Sequence, residues 1–583
     1  MNMIEIPGIC GQIMKLQFGN TEGMFFAGLA LFMWIMCALL CPEYLGKGRH
    51  RARFYFFSLI TLIATVGVFV SGDLFTLFIF FEIMSFTSFV WVAHEETPGA
   101  MRAAYTYIGI SVIGGLVTLM GLFMLYTDYP VSKYVTGGLI AFGFMVKAGV
   151  WPVHIWLPKA HPVAPAPASA LLSGILTKTG IFGIMYVTVR IIGADTVWGN
   201  VLLTLGTITM LTGALLAMFS IDLKRTLACS SVSQIGIIVI GIGEYALKGE
   251  DEFGEAFGGF LSVTAAELHM VNHSMIKLVL FLAAGVIYMK THKLDLNDIR
   301  GYGRHKPLLA VCFLMGALSL CGIPFTLGFT SKNAIHELLP PQLGWIFNIG
   351  SGMTISYMLK LFVAIFVEKN TDDETQRKYD AMKPYWNPAS RLAVTVPAVV
   401  LFALGIFAMQ RVPMGIMVYV EVLIPVAIGT ILYFCVIRLL FMSRNADGSG
   451  SYADRWPARL DIENMLYRPL LLTVLPSVCG FVSAVVSQLT DTVVVTLRRT
   501  THRQIATRIN TGSMDDQIGY AAGTLADKLH PSKDGKSHIP AFMEQEERIA
   551  MTQSFISGSL SFGLIFVSIG LIFVMVYTLV SSL

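Results

Sequence analysis

Residues 139–158, LIAFGFMVKAGVWPVHIWLP, carry the strongest indication of architecture in this chain. The stretch is long and apolar enough for a membrane span, yet Lys147 lies far from either end and Pro152 follows shortly after it. Proline removes a helical hydrogen bond, and lipid offers no replacement, so such a break must be buried in protein or line a cavity. The stretch therefore predicts an interrupted transmembrane helix that carries a buried lysine beside the break.

Comparable apolar runs recur along the whole chain of 583 residues, of which 55% are hydrophobic and 13% charged. Soluble domains carry about 25% charged residues. The formal net charge of +4 is too small to indicate nucleic-acid binding. Long apolar runs without hairpin signals favour helices over a barrel, so we predict an all-α polytopic membrane protein with about 14–15 transmembrane helices. The predicted spans are 24–41, 54–70, 74–93, 104–126, 137–158, 167–192, 199–220, 229–245, 256–288, 307–327, 344–367, 391–409, 413–441, 466–490 and 552–582, with a half-helix suggested at 328–341.

Basic residues in short loops predict the orientation of the spans, because such loops are retained in the cytoplasm. Basic residues follow the first, third, seventh and ninth predicted spans, which places them on one side if the spans alternate. The acidic loop 246–255 falls on the other side. We therefore expect the N-terminus outside and the basic loops inside, in the cytoplasmic membrane of a bacterium or an archaeon.

Isolated charges inside the apolar runs are the candidate functional residues, because each costs about 2.5–3.5 kcal/mol at the bilayer centre. Glu82 is the only charge between Asp73 and Glu95, and Lys178 has no charged neighbour in its run. Lys147 and Lys178 are interpreted as successive stations of a charge relay. The alternatives are a structural carboxyl at Glu82, a static ion pair between Glu82 and Lys147, and a lysine that faces a water cavity for packing reasons.

A row of titratable residues follows in AAELHMVNHSMIKLVLFLAAG, residues 265–285. His269, His273 and Lys277 are four residues apart in turn and so share one helix face, with Glu267 at the start of the row. Histidine titrates near neutral pH, so such a row can pass protons. A zinc site is a weaker interpretation, since no third ligand accompanies the histidines. A structural polar stripe remains another.

A second interrupted helix is predicted at GIPFTLGFTSK, residues 322–332, where Pro324 lies between two glycines and Lys332 comes just beyond the break. This layout repeats that of Lys147 and Pro152. Two broken helices in corresponding halves are typical of internally repeated transporters. The alternative is that Lys332 is simply an interfacial lysine.

The chain resembles the antiporter-like proton-channel family, which comprises the large membrane subunits of respiratory complex I, of multiple-resistance-type cation/proton antiporters and of membrane-bound nickel-iron hydrogenases. The resemblance lies between about 70 and 340 and is weaker to about 440. The stretches that carry it are FFEIMSF (80–86), KAGVWPVHIWLPKAHPVAPAPASALLSGILTKTG (147–180), DLKRTLACSSVSQIG (222–236), HMVNHSMIKLVLFLAAGVIY (269–288) and GIPFTLGFTSKNAI (322–335).

The resemblance implies two five-helix repeats of inverted topology, each with one broken helix. It implies a carboxylate partner at Glu82, a broken-helix lysine at Lys147 and a bridging lysine at Lys178. His269, His273 and Lys277 would form the relay of the second half, with Lys332 at the second break. The 466–583 extension resembles the lateral helix and final membrane anchor of some members, and DIENMLYRP (461–469) is similar to hydrogenase-type relatives.

The sequence and the resemblance together predict an ion-translocating subunit, for H⁺ or Na⁺, of a redox-driven complex such as a hydrogenase or a complex-I-like oxidoreductase. Other membrane subunits and the lipid bilayer would be its partners. No nucleotide-binding, haem or cluster-type motif is present, so we expect no cofactor, no metal and no redox site in this chain. The alternatives are a subunit of a Na⁺/H⁺ antiporter, a stand-alone solute transporter and a purely structural scaffold.

The chain is expected to divide into four parts: N-terminal helices (1–70), a first half-channel repeat (71–245), a second half-channel repeat with following helices (246–442) and a C-terminal extension with a lateral helix and a final membrane anchor (443–583).

Overall fold

The computed structural model describes most of residues 3–481 and, beyond them, residues 514–529 and 537–544. Within the first range the structure leaves out 8–12, 47, 49, 128, 250–263, 383–386, 412–414, 445–449, 458–461 and several scattered positions between 463 and 479. The chain divides into two units, Met1–Pro457 and Ala458–Leu583. The spans predicted at 466–490 and 552–582 lie partly and wholly outside the described residues, so the lateral helix and the final anchor stay predictions.

Helices account for most of the described chain, which confirms the all-α polytopic prediction. Twelve helical segments of the described chain are long and apolar enough to cross a membrane. The helices are α1 (Thr21–Leu45), α2 (Arg51–Phe69), α3 (Leu74–Val92), α4 (Pro98–Tyr126), α5 (Lys133–Ala148), α6 (Trp156–Val163), α7 (Ala166–Leu171), α8 (Thr177–Val187), α9 (Thr196–Phe219), α10 (Leu223–Lys248), α11 (Ala265–Thr291), α12 (Pro307–Cys321), α13 (Leu327–Glu337), α14 (Pro341–Phe362), α15 (Asp373–Ala381), α16 (Pro388–Arg411), α17 (Ile416–Glu421), α18 (Leu423–Ile431) and α19 (Met514–Leu529).

Several of these helices continue through π-helical turns, and one such turn joins α7 and α8 into a single span. Helices α17 and α18, separated only by Val422, form another span that ends in a π-helical turn. The π-helical turns are Leu172–Leu176, Thr188–Ile192, Val363–Val367, Leu432–Arg438 and Leu470–Val474. Strands are confined, in the described part of the chain, to two antiparallel hairpins. The hairpins are β1 (Met3–Pro7) with β2 (Ile13–Gln17), and β3 (Met442–Arg444) with β4 (Gly450–Tyr452).

Helices α10 and α11 form the enclosed centre of the first unit. The most apolar 18-residue window is 100% buried in each of them, against 39% in α2 and α4. Glycines let α9 and α10 approach closely, since a Cβ added at Gly213 would lie 2.3 Å from the backbone nitrogen of Ser233. The outer helices therefore face lipid, and polar side chains on α10 and α11 are shielded from it.

The first predicted break is present. Helix α5 ends at Gly149, whose φ of +83° is the left-handed conformation that glycine adopts without strain. A short 3₁₀ turn, Val153–Ile155, then leads into α6. Side chains satisfy backbone groups at the break: the indole N–H of Trp156 donates to the Val146 carbonyl at 2.8 Å, and Thr209 Oγ1 accepts from the Trp151 amide at 3.0 Å.

The second break is also present, between α12 and α13. Gly322 ends α12 at a φ of +75°, and Thr326 begins α13 by accepting the Phe329 amide at 3.3 Å. The half-helix suggested at 328–341 is α13, and Lys332 lies within it. The broken helix α12–α13 is the fifth span after the broken helix α5–α6. It therefore runs in the opposite direction if successive spans alternate, as an inverted repeat requires.

Candidate functional site

Lys147 is the last basic residue of α5 and is only 1% exposed. Its amine donates to the hydroxyl of Tyr107 on α4 at 2.5 Å and lies 4.7 Å from the centre of that ring. The Tyr107 hydroxyl is in turn 2.6 Å from Ser88 Oγ on α3. The buried Lys147 amine is thus connected through the Tyr107 hydroxyl to the Ser88 hydroxyl.

Glu82 lies on α3, and its carboxylate packs against Gly115 of α4. A Cβ added at Gly115 would lie 2.6 Å from Glu82 Oε1, so glycine leaves the room that this carboxylate occupies. Oε1 has no hydrogen-bond partner among the described residues. Glu82 and Lys147 attract each other electrostatically, but the described structure contains no direct ion pair between them. The static pair considered from the sequence is therefore not what the structure shows.

Lys178 lies on α8 directly after the π-helical turn Leu172–Leu176 and is fully buried. Its amine donates to the carbonyl of Ser173 at 2.8 Å and lies 2.6 Å from Nδ1 of His273 on α11. Gly180 brings α8 against the end of α5, because a Cβ there would lie 2.5 Å from the Phe144 carbonyl oxygen. The helix that carries Lys178 thus touches both the first break and the histidine row.

The histidine row on α11 is fully buried along its length. The ring nitrogens of His269 contact Ser331 Oγ at 2.9 Å and Gln234 Oε1 at 3.2 Å. His273 faces Lys178 with Nδ1, while its Nε2 has no partner in the described part of the chain. Ser331 directly precedes Lys332 in α13, so the row reaches the second break.

Lys277 ends the row and is fully buried. Its amine donates to the Leu227 carbonyl at 2.8 Å and to Ser230 Oγ at 2.5 Å, both on α10. A backbone carbonyl and a hydroxyl of α10 thus accept hydrogen bonds from the buried Lys277 amine, so that the amine has acceptors although no carboxylate is bonded to it. Lys277 and Lys178 lie within electrostatic range of each other.

Lys332 is 4% exposed, and its amine has no hydrogen-bond partner among the described residues. Its alkyl chain crosses the second break: a Cβ added at Gly322 would lie 3.0 Å from Lys332 Cδ. A buried amine with no fixed partner carries an unmet desolvation cost when charged. Lys332 therefore lacks, among the described residues, the hydrogen-bond acceptors that Lys178 and Lys277 have.

The structure brings the seven predicted residues into two groups. Glu82 and Lys147 lie around the first break, and Lys178 joins His273, His269, Lys277 and Lys332 in a second group. No direct contact joins Lys147 to Lys178 among the described residues, although their helices touch. No cluster of three or more His, Cys, Asp or Glu residues suited to a metal occurs in the described chain.

Sequence reasoning missed three residues that the structure places beside this set. Tyr107 gives no signal in the sequence, because a tyrosine in an apolar run is common. Lys224 falls in a predicted loop but is 1% exposed and donates to the Ala164 carbonyl at 2.9 Å. Lys360 is a lone charge inside the predicted span 344–367, so the criterion applied to Lys147 identifies it as well.

The fold and the site together define a polytopic helical membrane protein with two broken helices and a buried row of lysine and histidine side chains. The family model described as NADH:quinone oxidoreductase/Mrp antiporter, transmembrane, matches residues 71–358. With the relatives that follow, this shows that the chain belongs to that family.

Two curated relatives and one solved structure illustrate the similarity. Hydrogenase-4 component B of Escherichia coli is 32% identical over 319 residues, which cover 51% of this chain and 47% of that protein. A Na⁺/H⁺ antiporter subunit of Alkalihalophilus pseudofirmus is 30% identical over 404 residues, covering 63% and 79%. A chain of the membrane-bound sulfane sulfur reductase, an archaeal respiratory membrane complex, shares the fold at a TM-score of 0.61 with 21% identity, covering 91% of each chain. This chain thus spans about half of the hydrogenase component and most of the antiporter subunit.

Proposed function

We propose that this chain translocates protons, or Na⁺, as the antiporter-like subunit of a larger membrane complex in a bacterial or archaeal cytoplasmic membrane. The path runs Glu82–Lys147–Lys178–His273–Lys277–Lys332, with His269 beside it. The observation that carries the proposal is the 2.6 Å contact between Lys178 and His273, which joins α8 to α11. Both side chains are fully buried.

The chemistry of this contact favours transfer of charge over storage of charge. A protonated Lys178 disfavours a proton on His273, because like charges at this distance repel strongly in a medium of low dielectric constant. Each protonation event therefore shifts the affinity of the next group, and the two titrate as a coupled pair. A row of such pairs passes a proton, or the charge change that drives one, along the middle of the protein.

The driving reaction is proposed to lie in other subunits. Two of the relatives are named as a hydrogenase component and as an antiporter subunit, and a third is named as an oxidoreductase chain. We therefore favour a hydrogenase or a complex-I-like oxidoreductase as the parent complex, with this chain holding no redox group of its own. Subunits that co-purify in mild detergent identify that complex.

The test uses membrane vesicles that hold the assembled complex. Lys178→Met should abolish most ion uptake, because the thioether cannot carry a proton and breaks the link to His273. Lys133→Met is the matched control, since Lys133 is an exposed lysine that pairs with Asp195 at 3.0 Å, at the edge of α5. Near-normal uptake by an assembled Lys178→Met complex would refute the relay.

A Na⁺/H⁺ antiporter subunit is the second candidate, favoured by the alignment that covers 79% of the Alkalihalophilus pseudofirmus protein. An antiporter exchanges ions when a Na⁺ gradient alone is imposed, whereas a redox-driven pump requires its electron donor. Vesicles supplied with one and then the other separate the two. A stand-alone solute transporter would need a pocket with substrate-specific groups; a 470 Å³ cavity bordered by Gln17, Glu22, Arg190 and Glu267 has none of the seven relay residues in its wall and so is no part of the proposed path.

A further inference from the structure

Lys360 on α14 is a buried lysine outside the predicted relay. It is 2% exposed, and its amine donates to the carbonyls of Ala217, Met218 and Ser220 at 3.0, 2.7 and 2.6 Å. These carbonyls lie at the end of α9, where the last turn leaves its acceptors without helical donors. A cation at this end of a helix is favourable, so a structural cap is one explanation for Lys360.

A partly exposed carboxylate lies near Lys360 on the predicted cytoplasmic side. Asp454 lies within electrostatic range of Lys360. It pairs with Arg225 at 3.4 Å, and its side chain is 34% exposed. A partly exposed carboxylate therefore lies within electrostatic range of a buried amine, near the face predicted to carry the basic loops.

On the opposite side, α14 leads from Lys360 toward Lys277. Tyr357 lies one helical turn before Lys360 and is fully buried, and its hydroxyl lies near the Ser230 side chain on α10. Ser230 Oγ accepts the 2.5 Å hydrogen bond from the Lys277 amine. Cys229, the neighbour of Ser230, is within electrostatic range of both Lys277 and Lys360. Lys277 thus contacts this turn of α10 from α11, and Lys360 on α14 lies within electrostatic range of the same turn.

We propose that Lys360 carries protons between Asp454 at the predicted cytoplasmic face and Lys277 at the centre of the protein. This inference rests on the proposed function, because it supplies the relay with protons. One N–H bond of the Lys360 ammonium group breaks and one N–H bond forms on the Lys277 amine. Between them the hydroxyls of Tyr357 and Ser230 each accept one proton and release their own. Lys360 then regains a proton from solvent beside Asp454.

The decisive variant is Lys360→Arg, measured as proton uptake by vesicles with the assembled complex. Guanidinium retains the charge and the N–H donors that cap α9, but it does not release a proton in proteins. If Lys360 is only a cap, Lys360→Arg pumps normally. If Lys360 carries protons, the complex assembles and uptake falls by roughly tenfold or more. Normal uptake overturns the inference.

Lys306 offers a matched control. Its amine is also buried and also donates to two carbonyls, those of Tyr302 at 2.7 Å and Tyr379 at 3.2 Å, but it lies away from the row. Lys306→Arg should leave uptake unchanged, which shows that a buried Lys-to-Arg exchange as such is tolerated.

Tyr357→Phe keeps the route testable if Lys360→Arg fails to assemble, because it removes one hydroxyl and leaves the cap of α9 intact. Uptake should fall several-fold, and normal uptake by this variant overturns the route.

Lys147→Ala, measured in parallel, separates the two proposals. If Lys147→Ala still pumps, the proposed function fails. If Lys147→Ala is inactive while Lys360→Arg and Tyr357→Phe pump normally, only this inference fails.

Discussion

Lys147 is bonded to Tyr107 and not to Glu82: its amine donates to the tyrosine hydroxyl at 2.5 Å. Tyr107 then contacts Ser88 at 2.6 Å, and Trp156 from the second half of the broken helix packs edge-on against its ring, with the ring centres 5.0 Å apart. A hydroxyl can both accept and donate, so it can pass a proton where a fixed ion pair would hold one. Tyr107 also leaves Lys147 free to respond to the charge on Glu82 without a salt bridge to break.

Lys147→Ala should remove most ion pumping and leave assembly largely intact. The lysine is buried beside a helix break whose backbone groups are satisfied by Trp156 and Thr209, so the fold does not depend on the amine. Ion uptake by vesicles and the amount of assembled complex are the two measurements. Near-normal uptake with full assembly would contradict the assignment.

Tyr107→Phe should slow uptake by roughly tenfold while keeping the ring that packs on Trp156. The variant removes only the hydroxyl that accepts from Lys147. Tyr134→Phe is the control, because its hydroxyl bonds Asp195 at 2.8 Å at the exposed start of α5. Equal uptake rates for both variants and the wild type would show that the Tyr107 hydroxyl has no role in proton transfer and contributes only to packing.

Glu82 should be required as a charge. Glu82→Gln preserves shape beside Gly115 but removes the field that acts on Lys147, so it should cripple coupling between the driving reaction and uptake. Glu82→Asp should retain part of that coupling. The measurement is ions moved per electron pair or per Na⁺ exchanged. Indistinguishable Gln and Asp variants would favour a structural carboxyl.

Glu368 should stabilise the predicted cytoplasmic end of the second repeat. Its carboxylate pairs with Arg300 at 2.7 Å and with Arg438, and its side chain is 11% exposed. Glu368→Gln leaves two guanidinium groups without their shared anion, which should cost about 2–4 kcal/mol. A lower midpoint of thermal denaturation of the complex is the readout.

The control for Glu368 is Glu374→Gln, which breaks an exposed pair with Lys378 at 2.7 Å. Exposed pairs within one helix contribute little, so this variant should not change the midpoint. A Glu368→Gln complex as stable as the control would mean that the two arginines do not depend on the carboxylate.

Deletion of residues 466–583 should weaken association with neighbouring subunits more than it alters folding of residues 24–441. The sequence from about 490 interleaves arginines with apolar residues before a final apolar run, a pattern suited to a membrane surface or a partner subunit. Co-purification of the other subunits with the truncated chain is the measurement. Undiminished co-purification would favour a tail with one extra membrane span and no tying role.

The membrane class, the two broken helices and the candidate lysines inside the spans all follow from the amino-acid sequence. Charges and prolines within apolar runs are rare, because lipid makes both costly, so each stands out without knowledge of the fold. The same argument identifies Lys360 as a candidate, because it is a lone charge in an apolar run. The face shared by His269, His273 and Lys277 follows from helix geometry alone.

Which of these groups touch one another depends on how the helices pack. Lys178 and His273 are 95 residues apart in sequence and 2.6 Å apart in the structure, and no periodicity predicts that pairing. Tyr107 and Ser230 become relevant only because their hydroxyls lie beside a buried amine, since serine and tyrosine are common in apolar helices and differ only in what they face. A charge reveals itself in sequence through its desolvation cost, whereas its partner is set by helix packing, which depends on close backbone approaches such as those at Gly180 and Gly213.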